Sequence, residues 1–256
     1  MTSTIDLTRT ARLEWEDLDL ASFSYSPLDG PTLRCLRYMH DVESHTMCYL
    51  REILVTRAHR DPELTAFLSC WCFEEHWHGE AIADVLRFHG DSAGEDRVVE
   101  TRGHRRQSLR PMAFQLASAL SARIVPVLMA WGAINERTTQ AGYGRLAATA
   151  RSPILAELLR RIMRQEGRHI AFYTEQARQR LEGDVRAQRL TRFVLNRFWA
   201  PVGSGVMPAD ETAFLVGHLF GGGDGLEVAR RIDRGVDGLP GLNGLHLVEH
   251  SVDASD

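Results

Sequence analysis

The chain has 256 residues, 44% of them hydrophobic, which is enough for one domain with a sizeable buried core. Its 30 basic side chains stand against 34 acidic ones, and the resulting formal charge of −4 provides no overall attraction to nucleic acid or to an anionic membrane. All of the basic residues are arginine, so enzymes that need a lysine amine, such as P-loop nucleotide hydrolases, Schiff-base enzymes and Tyr/Lys dehydrogenases, are excluded.

Residues 1–30 are predicted to form an irregular leader. Their first 20 residues mix threonine, arginine and acidic side chains without an apolar run, so no signal peptide is expected and the predicted location is the cytoplasm. The longest apolar stretch, 114–135, contains Arg123 and Pro126 and leads directly into Glu136, which is typical of a helix buried in protein and not of a membrane span.

Proline, glycine and helix-capping residues mark two long helices in the first part of the chain. Asp29-Gly30-Pro31 opens a helix that we extend to about Arg60, and Asp61-Pro62 opens a second helix that continues to His89 and stops at Gly90. The short connection between them predicts an antiparallel pair.

The next part of the chain repeats this organisation after a polar, arginine-rich connection at 91–110, where a short helix is expected. A long helix is predicted from about Pro111 to Thr149, and Pro126 is expected to bend or split it. Ser152-Pro153 opens a fourth helix that ends near Gly183, which gives a second antiparallel pair.

Three shorter helices are predicted beyond the two pairs, at about 184–200, 209–220 and 226–233, with breaks rich in glycine and proline between them. Between the breaks the hydrophobic residues recur with a period close to 3.6, which is typical of helices. We therefore expect a single all-α domain, 1–256, in which residues 31–183 form a four-helix bundle and residues 184–256 add helices packed on it.

A glutamate interrupts the apolar stripe of each long predicted helix. In the first helix, for example, Glu43 lies between Met39 and Met47 on the stripe. A buried carboxylate without a partner is costly, so a cation is expected inside the bundle. For a single glutamate an ion pair with a neighbouring arginine is the ordinary alternative, but the pattern occurs at four positions, namely Glu43, Glu75, Glu136 and Glu166.

Two of these glutamates begin a Glu-x-x-His pair, Glu75/His78 and Glu166/His169. The six residues lie about 14 to 18 positions from the turn of their own hairpin, so at about 1.5 Å per residue they share one level within about one helical turn. This is the inward-facing ligand set of ferritin-like dinuclear carboxylate bundles, and four carboxylates balance the charge of two divalent cations. The predicted fold class is therefore a ferritin-like four-helix bundle with additional C-terminal helices.

Three segments resemble the motifs of the soluble acyl-carrier-protein desaturases. They are FEEHWHG at 73–79, INERTTQ at 134–140 and QEGRHIAFY at 165–173, which are similar to the EExxHG, ERAT and DExRHE segments of that family. The resemblance extends over most of the chain, including the ending DGLEVARRIDRGVDGLP. These motifs are specific for the di-iron class and less specific for the reaction.

The resemblance implies a homodimer that binds two iron ions, uses O₂ as co-substrate and receives electrons from an external donor of the ferredoxin type. Its implied reaction is the dehydrogenation of an acyl chain held on acyl carrier protein. Thr139 matches the active-site threonine of the family and is the predicted catalytic residue. By motif position, the implied iron ligands are Glu43, Glu75, His78, Glu136, Glu166 and His169.

Two features depart from the family pattern. Gln165 stands where the family usually has an aspartate that orients a ligand histidine, and the 91–110 segment has no counterpart. The alternatives are therefore a di-iron hydroxylase or N-oxygenase of a specialised pathway acting on a small substrate, a ferritin-like ferroxidase or iron-binding protein, and a metal-stabilised protein without turnover.

An acidic carrier protein would need a local basic patch on this mildly acidic chain. The sequence offers two such clusters, and a solvated surface is the alternative role of each. They are Arg102, Arg105, Arg106 and Arg110 in the connection, and Arg160, Arg161, Arg164, Arg186, Arg189, Arg192 and Arg197 on the fourth and fifth helices. No nucleic-acid partner and no membrane partner are expected.

Overall fold

The computed structural model of the chain describes residues 9–91, 94–103 and 121–254. The described residues form an all-α bundle, as predicted, with short 3₁₀ turns at Leu20–Ser24 and Arg57–Arg60. Its helices are α1 Gly30–Leu54, α2 Pro62–Phe88, α3 Gly94–Gly103, α4 Ile124–Thr149, α5 Pro153–Leu181, α6 Val185–Phe198, α7 Ala209–Phe220, α8 Gly222–Asp237 and α9 Leu247–Asp253. None of these described helices combines the length and the apolar content that a bilayer span requires.

Two helical hairpins make the bundle, because α1 packs along α2 and α4 packs along α5. Their starts are capped as the sequence indicates. The Asp29 carboxylate accepts a hydrogen bond from the Thr32 backbone N–H, Asp61 caps α2, and the Ser152 hydroxyl accepts from the Leu155 N–H. These caps satisfy amide groups that have no partner inside the helix.

The helix predicted to run to Arg60 ends instead at Leu54. Thr56 is in an extended conformation, and its hydroxyl accepts a hydrogen bond from the Ala58 N–H at 3.2 Å. The same hydroxyl donates to the Ile53 carbonyl at 2.6 Å, so it satisfies the end of α1 and starts the 3₁₀ turn at Arg57–Arg60. The capping residue Thr56 thus divides the single helix predicted from the hydrophobic period into α1 and a separate 3₁₀ turn.

The predicted 111–149 helix is shorter in the described residues, and its 111–120 part lies outside them. Residues 121–123 are not helical, and α4 begins at Ile124. Pro126 is consequently the third residue of α4 and neither bends nor splits it. At this position the N–H that proline lacks would have no partner within the helix.

The C-terminal helices differ from the prediction in two ways. The helix expected at 226–233 runs from Gly222 to Asp237, and α9 was not expected at all. Gly225 is required where it lies, because a Cβ atom there would come within 2.4 Å of the Phe220 backbone. The start of α9 is capped from a distance by Asp233 of α8, whose carboxylate accepts from the backbone N–H of Val248 and Glu249.

The leader and α3 pack against the first hairpin. In the leader, the Trp15 indole N–H donates to Asp84 of α2 at 2.8 Å, and Leu13 is buried beside it. On the other side, Arg97 of α3 pairs with the buried Asp41 of α1 at 3.1 Å. Both additions therefore cover part of the outer surface of the first hairpin.

In the second hairpin, Gly132 allows α4 to approach the Tyr173 ring of α5 closely. A Cβ atom at position 132 would lie 2.5 Å from two carbons of that fully buried ring, so Gly132→Ala is expected to destabilise the fold by about 1–3 kcal/mol. Gly217→Ala on α7, where a Cβ atom meets nothing within 4 Å, is the matched control and should be neutral or slightly stabilising. Urea unfolding of both variants measures the difference, and equal stabilities would contradict the close contact.

Candidate metal centre

The bundle brings the six predicted ligand residues together in its interior. All six are buried, with between 0% and 7% of each residue exposed. Their potential ligand atoms form two overlapping groups, and within each group the atoms lie within 4.8 Å of one another. The groups are Glu43, Glu75, His78 and Glu166, and Glu75, Glu136, Glu166 and His169.

Glu75 and Glu166 belong to both groups, and each directs one oxygen toward each histidine. Glu75 Oε2 lies 3.5 Å from His78 Nδ1, while Glu75 Oε1 lies 3.1 Å from His169 Nδ1. Glu166 Oε1 lies 3.4 Å from His78 Nδ1, while Glu166 Oε2 lies 3.1 Å from His169 Nδ1. Two shared carboxylates between two terminal Glu/His sets can bridge a pair of cations.

Both histidines direct Nδ1 toward the cluster, and the Nε2 atom of each makes a hydrogen bond on the side away from it. His78 Nε2 is 2.8 Å from Gln165 Oε1, and because an amide oxygen only accepts, Nε2 is the donor. His169 Nε2 is 2.8 Å from Glu74 Oε2, and Glu74 is in turn paired with Arg168. Burial opposes ionisation of Glu74, but its hydrogen bond to His169 lowers its pKa.

The two terminal glutamates are each oriented by an aromatic donor from another helix. The Tyr143 hydroxyl of α4 donates to Glu43 of α1, and the Trp71 indole N–H of α2 donates to Glu136 of α4 at 3.1 Å. These bonds fix one carboxylate oxygen on each terminal glutamate. The other oxygen is left to face the cluster.

The four glutamates of the cluster have pKa values shifted in different directions. Burial raises the pKa of Glu43 well above its usual value, with the nearby Glu75 charge adding to the shift, and burial likewise raises the pKa of Glu136. Burial works in the same direction on Glu75, but hydrogen bonds from Glu43 and the histidines outweigh it and lower its pKa. Glu166 also has a lowered pKa, because its hydrogen bond to His169 and its proximity to His78 outweigh burial and the repulsion from Glu75.

The histidines carry the matching positive charges. Burial alone would lower the pKa of His78, but the carboxylates of Glu166 and Glu75 raise it to about 10. The pKa of His169 is raised well above its usual value in the same way, against the effect of burial, by Glu136 and Glu166. The raised pKa values of the two terminal glutamates and of both histidines indicate that the cluster favours added positive charge, which two divalent cations would also supply.

The donor set fits metal ions better than it fits hydrogen bonding. In the described part of the chain, His78 Nδ1 and Glu166 Oε1 are buried and have no well-aligned hydrogen-bond partner, although they face each other. Glu75 Oε1 is also buried and has no well-aligned hydrogen-bond partner. Buried polar atoms without partners are costly, and carboxylate oxygens with imidazole nitrogens are ligands that iron, manganese and zinc accept. The buried Glu/His groups could therefore hold metal ions.

Two residues of the predicted stripes behave differently from the six ligands. Met47, expected to face inward on α1, is 56% exposed. Thr139 is half-buried on α4, and in the described residues no hydrogen bond links its hydroxyl to the cluster, so its catalytic role stays a prediction. The threonine that bonds back to its own helix is the preceding Thr138, which donates to the Ile134 carbonyl at 2.8 Å.

Among the residues that support the ligands, sequence reasoning indicated only Gln165, which contacts His78. Glu74, Trp71 and Tyr143 are not ligands, and their contacts run between different helices. The backbone of Ala11 in the leader was missed as well, although it accepts from Gln165 at 3.0 Å and its N–H lies 3.3 Å from Glu74. The one available signal was position, because Glu74 and Gln165 both directly precede a shared glutamate.

A cavity of about 440 Å³ reaches the cluster from the side of Glu43, between α1, α2 and α3. His40 lies in its wall, where Nδ1 is 2.7 Å from the Asp41 carboxylate. Apolar and polar side chains both line the cavity, among them Ser44, Met47, Cys72, His76, Leu86 and Val98. A molecule of moderate size could approach the Glu43 side of the centre along this route.

Comparisons of the chain with protein-family models, with curated proteins and with solved structures give no match.

Proposed function

We propose that the protein is a non-haem di-iron oxidoreductase that uses O₂, of the type represented by the acyl-carrier-protein desaturases. The observation that carries the proposal is the pair of overlapping four-residue groups that share Glu75 and Glu166 inside an apolar bundle. The same pair of positions would also serve a ferroxidase, which the oxygen-uptake test described below distinguishes. The resemblance of the three sequence motifs supports iron as the metal.

Each residue of the centre has a role in this proposal. Glu43, Glu136 and the two histidines would hold one ion on each side of the bridging carboxylates, while Tyr143 and Trp71 hold the terminal glutamates in position. Apolar side chains of the surrounding helices bury the six ligand residues. When bound, two iron ions supply with O₂ the oxidising power needed to attack an unactivated C–H bond.

The test uses metal-free protein loaded anaerobically with two equivalents of ferrous iron. With a ferredoxin-type reductant and O₂ present, we expect sustained oxygen consumption and a loss of two hydrogen atoms from an acyl chain on acyl carrier protein, detected by mass spectrometry. Oxygen uptake that stops once the iron is oxidised would instead indicate a ferroxidase. Absence of uptake by the reduced, iron-loaded protein would contradict the proposal altogether.

The cavity favours a second candidate within the same chemistry. Its wall contains Ser44, His40 and His76 beside apolar residues, whereas a long acyl chain is best accommodated by an apolar tunnel. A hydroxylase or N-oxygenase acting on a small, partly polar molecule would use this route to the Glu43 side. In the same assay, oxygen incorporation into a small substrate, without change in the acyl carrier, would favour this candidate.

If the substrate arrives on an acidic carrier protein in the cytoplasm, exposed arginines should bind that carrier. Arg160, which pairs with Glu157 one turn earlier, and Arg164 are exposed on α5, and Arg161 pairs with Asp17 at 2.5 Å. Reversing the charge of Arg160 and Arg164 is expected to weaken carrier binding roughly tenfold at low salt and much less at high salt, with metal content unchanged.

The comparison variant reverses Arg105 and Arg106, which lie outside the described residues. Carrier affinity measured by titration at low and high salt identifies which cluster docks the carrier. If both double variants bind and oxidise the carrier substrate as the unmodified protein does at low salt, a free small-molecule substrate is favoured.

A further inference from the structure

The two histidines of the metal centre are supported by groups of different charge. His169 donates from Nε2 to the carboxylate of Glu74, whereas His78 donates from Nε2 to the amide oxygen of Gln165, both at 2.8 Å. Glu74 directly precedes the shared Glu75 on α2, and Gln165 directly precedes the shared Glu166 on α5. The two supports therefore occupy equivalent places in the two hairpins but are chemically unequal.

The ligand atoms themselves do not distinguish the two positions. Each position has both bridging carboxylates, one terminal glutamate and one histidine. Each terminal glutamate also accepts one hydrogen bond from an uncharged donor, Tyr143 on one side and Trp71 on the other. The clearest difference in charge next to the two four-residue groups is therefore that Glu74 carries a carboxylate where Gln165 carries a neutral amide.

Glu74 is held firmly in its place. It is 2% exposed, Arg168 donates to its Oε1 at 2.5 Å, and the Ala11 N–H approaches the same oxygen at 3.3 Å. Gln165 is 8% exposed and donates through Nε2 to the Ala11 carbonyl. Neither support can rotate away without breaking a contact to the leader.

A histidine that donates to a carboxylate is a more basic ligand than one that donates to an amide, and changing such a partner typically alters metal affinity about 10- to 100-fold. We propose that the two metal positions are unequal, that the position formed by Glu75, Glu136, Glu166 and His169 binds its cation more tightly and fills first, and that Glu74 is the positioning residue responsible. This inference rests on the proposed dinuclear metal function.

The first experiment titrates metal-free protein with Co²⁺ and follows heat and visible absorption. We expect two unequal steps in the unmodified protein. His78→Ala should retain one equivalent at the tighter affinity, whereas His169→Ala should retain one equivalent bound about 10- to 100-fold more weakly. Equal affinities in these two matched variants would overturn the inference.

The second experiment acts on the supports and leaves all six ligands in place. Glu74→Gln is expected to weaken the first Co²⁺ step about 10- to 100-fold with little change in the second, so that the two steps merge. Arg168→Gln leaves the Glu74 carboxylate on His169 and should retain the tight first step. Glu175→Gln, a change at a partly exposed position on α5 that pairs with Arg178, controls for the loss of one negative charge.

A purely structural role for the pair would give a different pattern. In that case Glu74→Gln and Arg168→Gln would weaken both steps to a similar extent, and this result would overturn the inference. The same titration distinguishes failure of the dinuclear function from failure of the proposed inequality. Binding of no Co²⁺ by the unmodified protein would remove the dinuclear function and the inequality together, whereas two bound equivalents of equal affinity would remove only the inequality.

Discussion

Replacing Glu166 with glutamine is expected to abolish binding of both metal ions. Each carboxylate oxygen of Glu166 faces a different histidine, at 3.4 Å from His78 and 3.1 Å from His169. An amide has one accepting oxygen and no charge, so it cannot bridge two cations. Metal content after loading and desalting, measured by elemental analysis, should fall from about two ions per chain to near zero.

Two companion variants sharpen this result. Glu136→Gln removes a terminal ligand from only one group and should mainly affect one ion, while Glu175→Gln on the surface of α5 should leave both. Circular dichroism of each variant shows whether the helices remain. A Glu166→Gln protein that keeps its full metal content, while Glu136→Gln loses both ions, would contradict the bridging assignment.

Removing the metal is expected to leave a protein whose stability falls as pH rises from about 5 to 8. Glu43 and Glu136 have a raised pKa in the folded state, so they contribute stability while protonated and lose it as pH climbs above their usual value of 4.5. The raised pKa of His78, about 10, makes its contribution complete below about 6.5 and lost as pH approaches 10. Glu75 and Glu166, whose pKa values are lowered, stay ionised throughout this window.

The metal-loaded protein should show the opposite trend, because binding needs ionised carboxylates and neutral histidines and therefore strengthens as pH rises. The Tm difference between loaded and stripped protein should widen from pH 5 to 8. When folding changes the acid dissociation constant of one group tenfold, the free energy of unfolding changes by about 1.4 kcal/mol. This moves the Tm of a chain of this size by roughly 3 °C. Thermal unfolding at four pH values measures this, and a stripped protein whose Tm stays constant or rises would contradict a protonated, desolvated cluster.

The helices and the six ligand positions could be predicted because both depend on local rules. Helical period decides which face a glutamate occupies, and distance from the turn decides its height, so Glu43 and Glu136 could be placed beside the Glu-x-x-His pairs. Capping residues such as Asp61 and Ser152 marked the helix starts to within a residue. These features need no knowledge of what lies on a neighbouring helix.

Local rules did not suffice where a distant residue determines the structure. The helix α9 begins where Asp233, 15 residues before Val248, caps it. In α8, glycine is needed at position 225 because a Cβ atom there would clash with the Phe220 backbone. Met47 satisfies the apolar period of α1 yet is largely exposed, since no neighbouring element in the described residues covers it. In the first two cases the decisive contact comes from another element, and for Met47 the described residues supply no covering contact.

By itself, therefore, the amino-acid sequence determined an all-α bundle with a glutamate on each inner stripe and two histidines at the same level. Only the tertiary structure decided that Glu75 and Glu166 turn one oxygen to each histidine, and that Glu74 supports His169 while Gln165 supports His78. The physical reason is that helical periodicity fixes direction and height along one helix, whereas bridging geometry and hydrogen-bond partners depend on how side chains from four helices and the leader meet in the packed core.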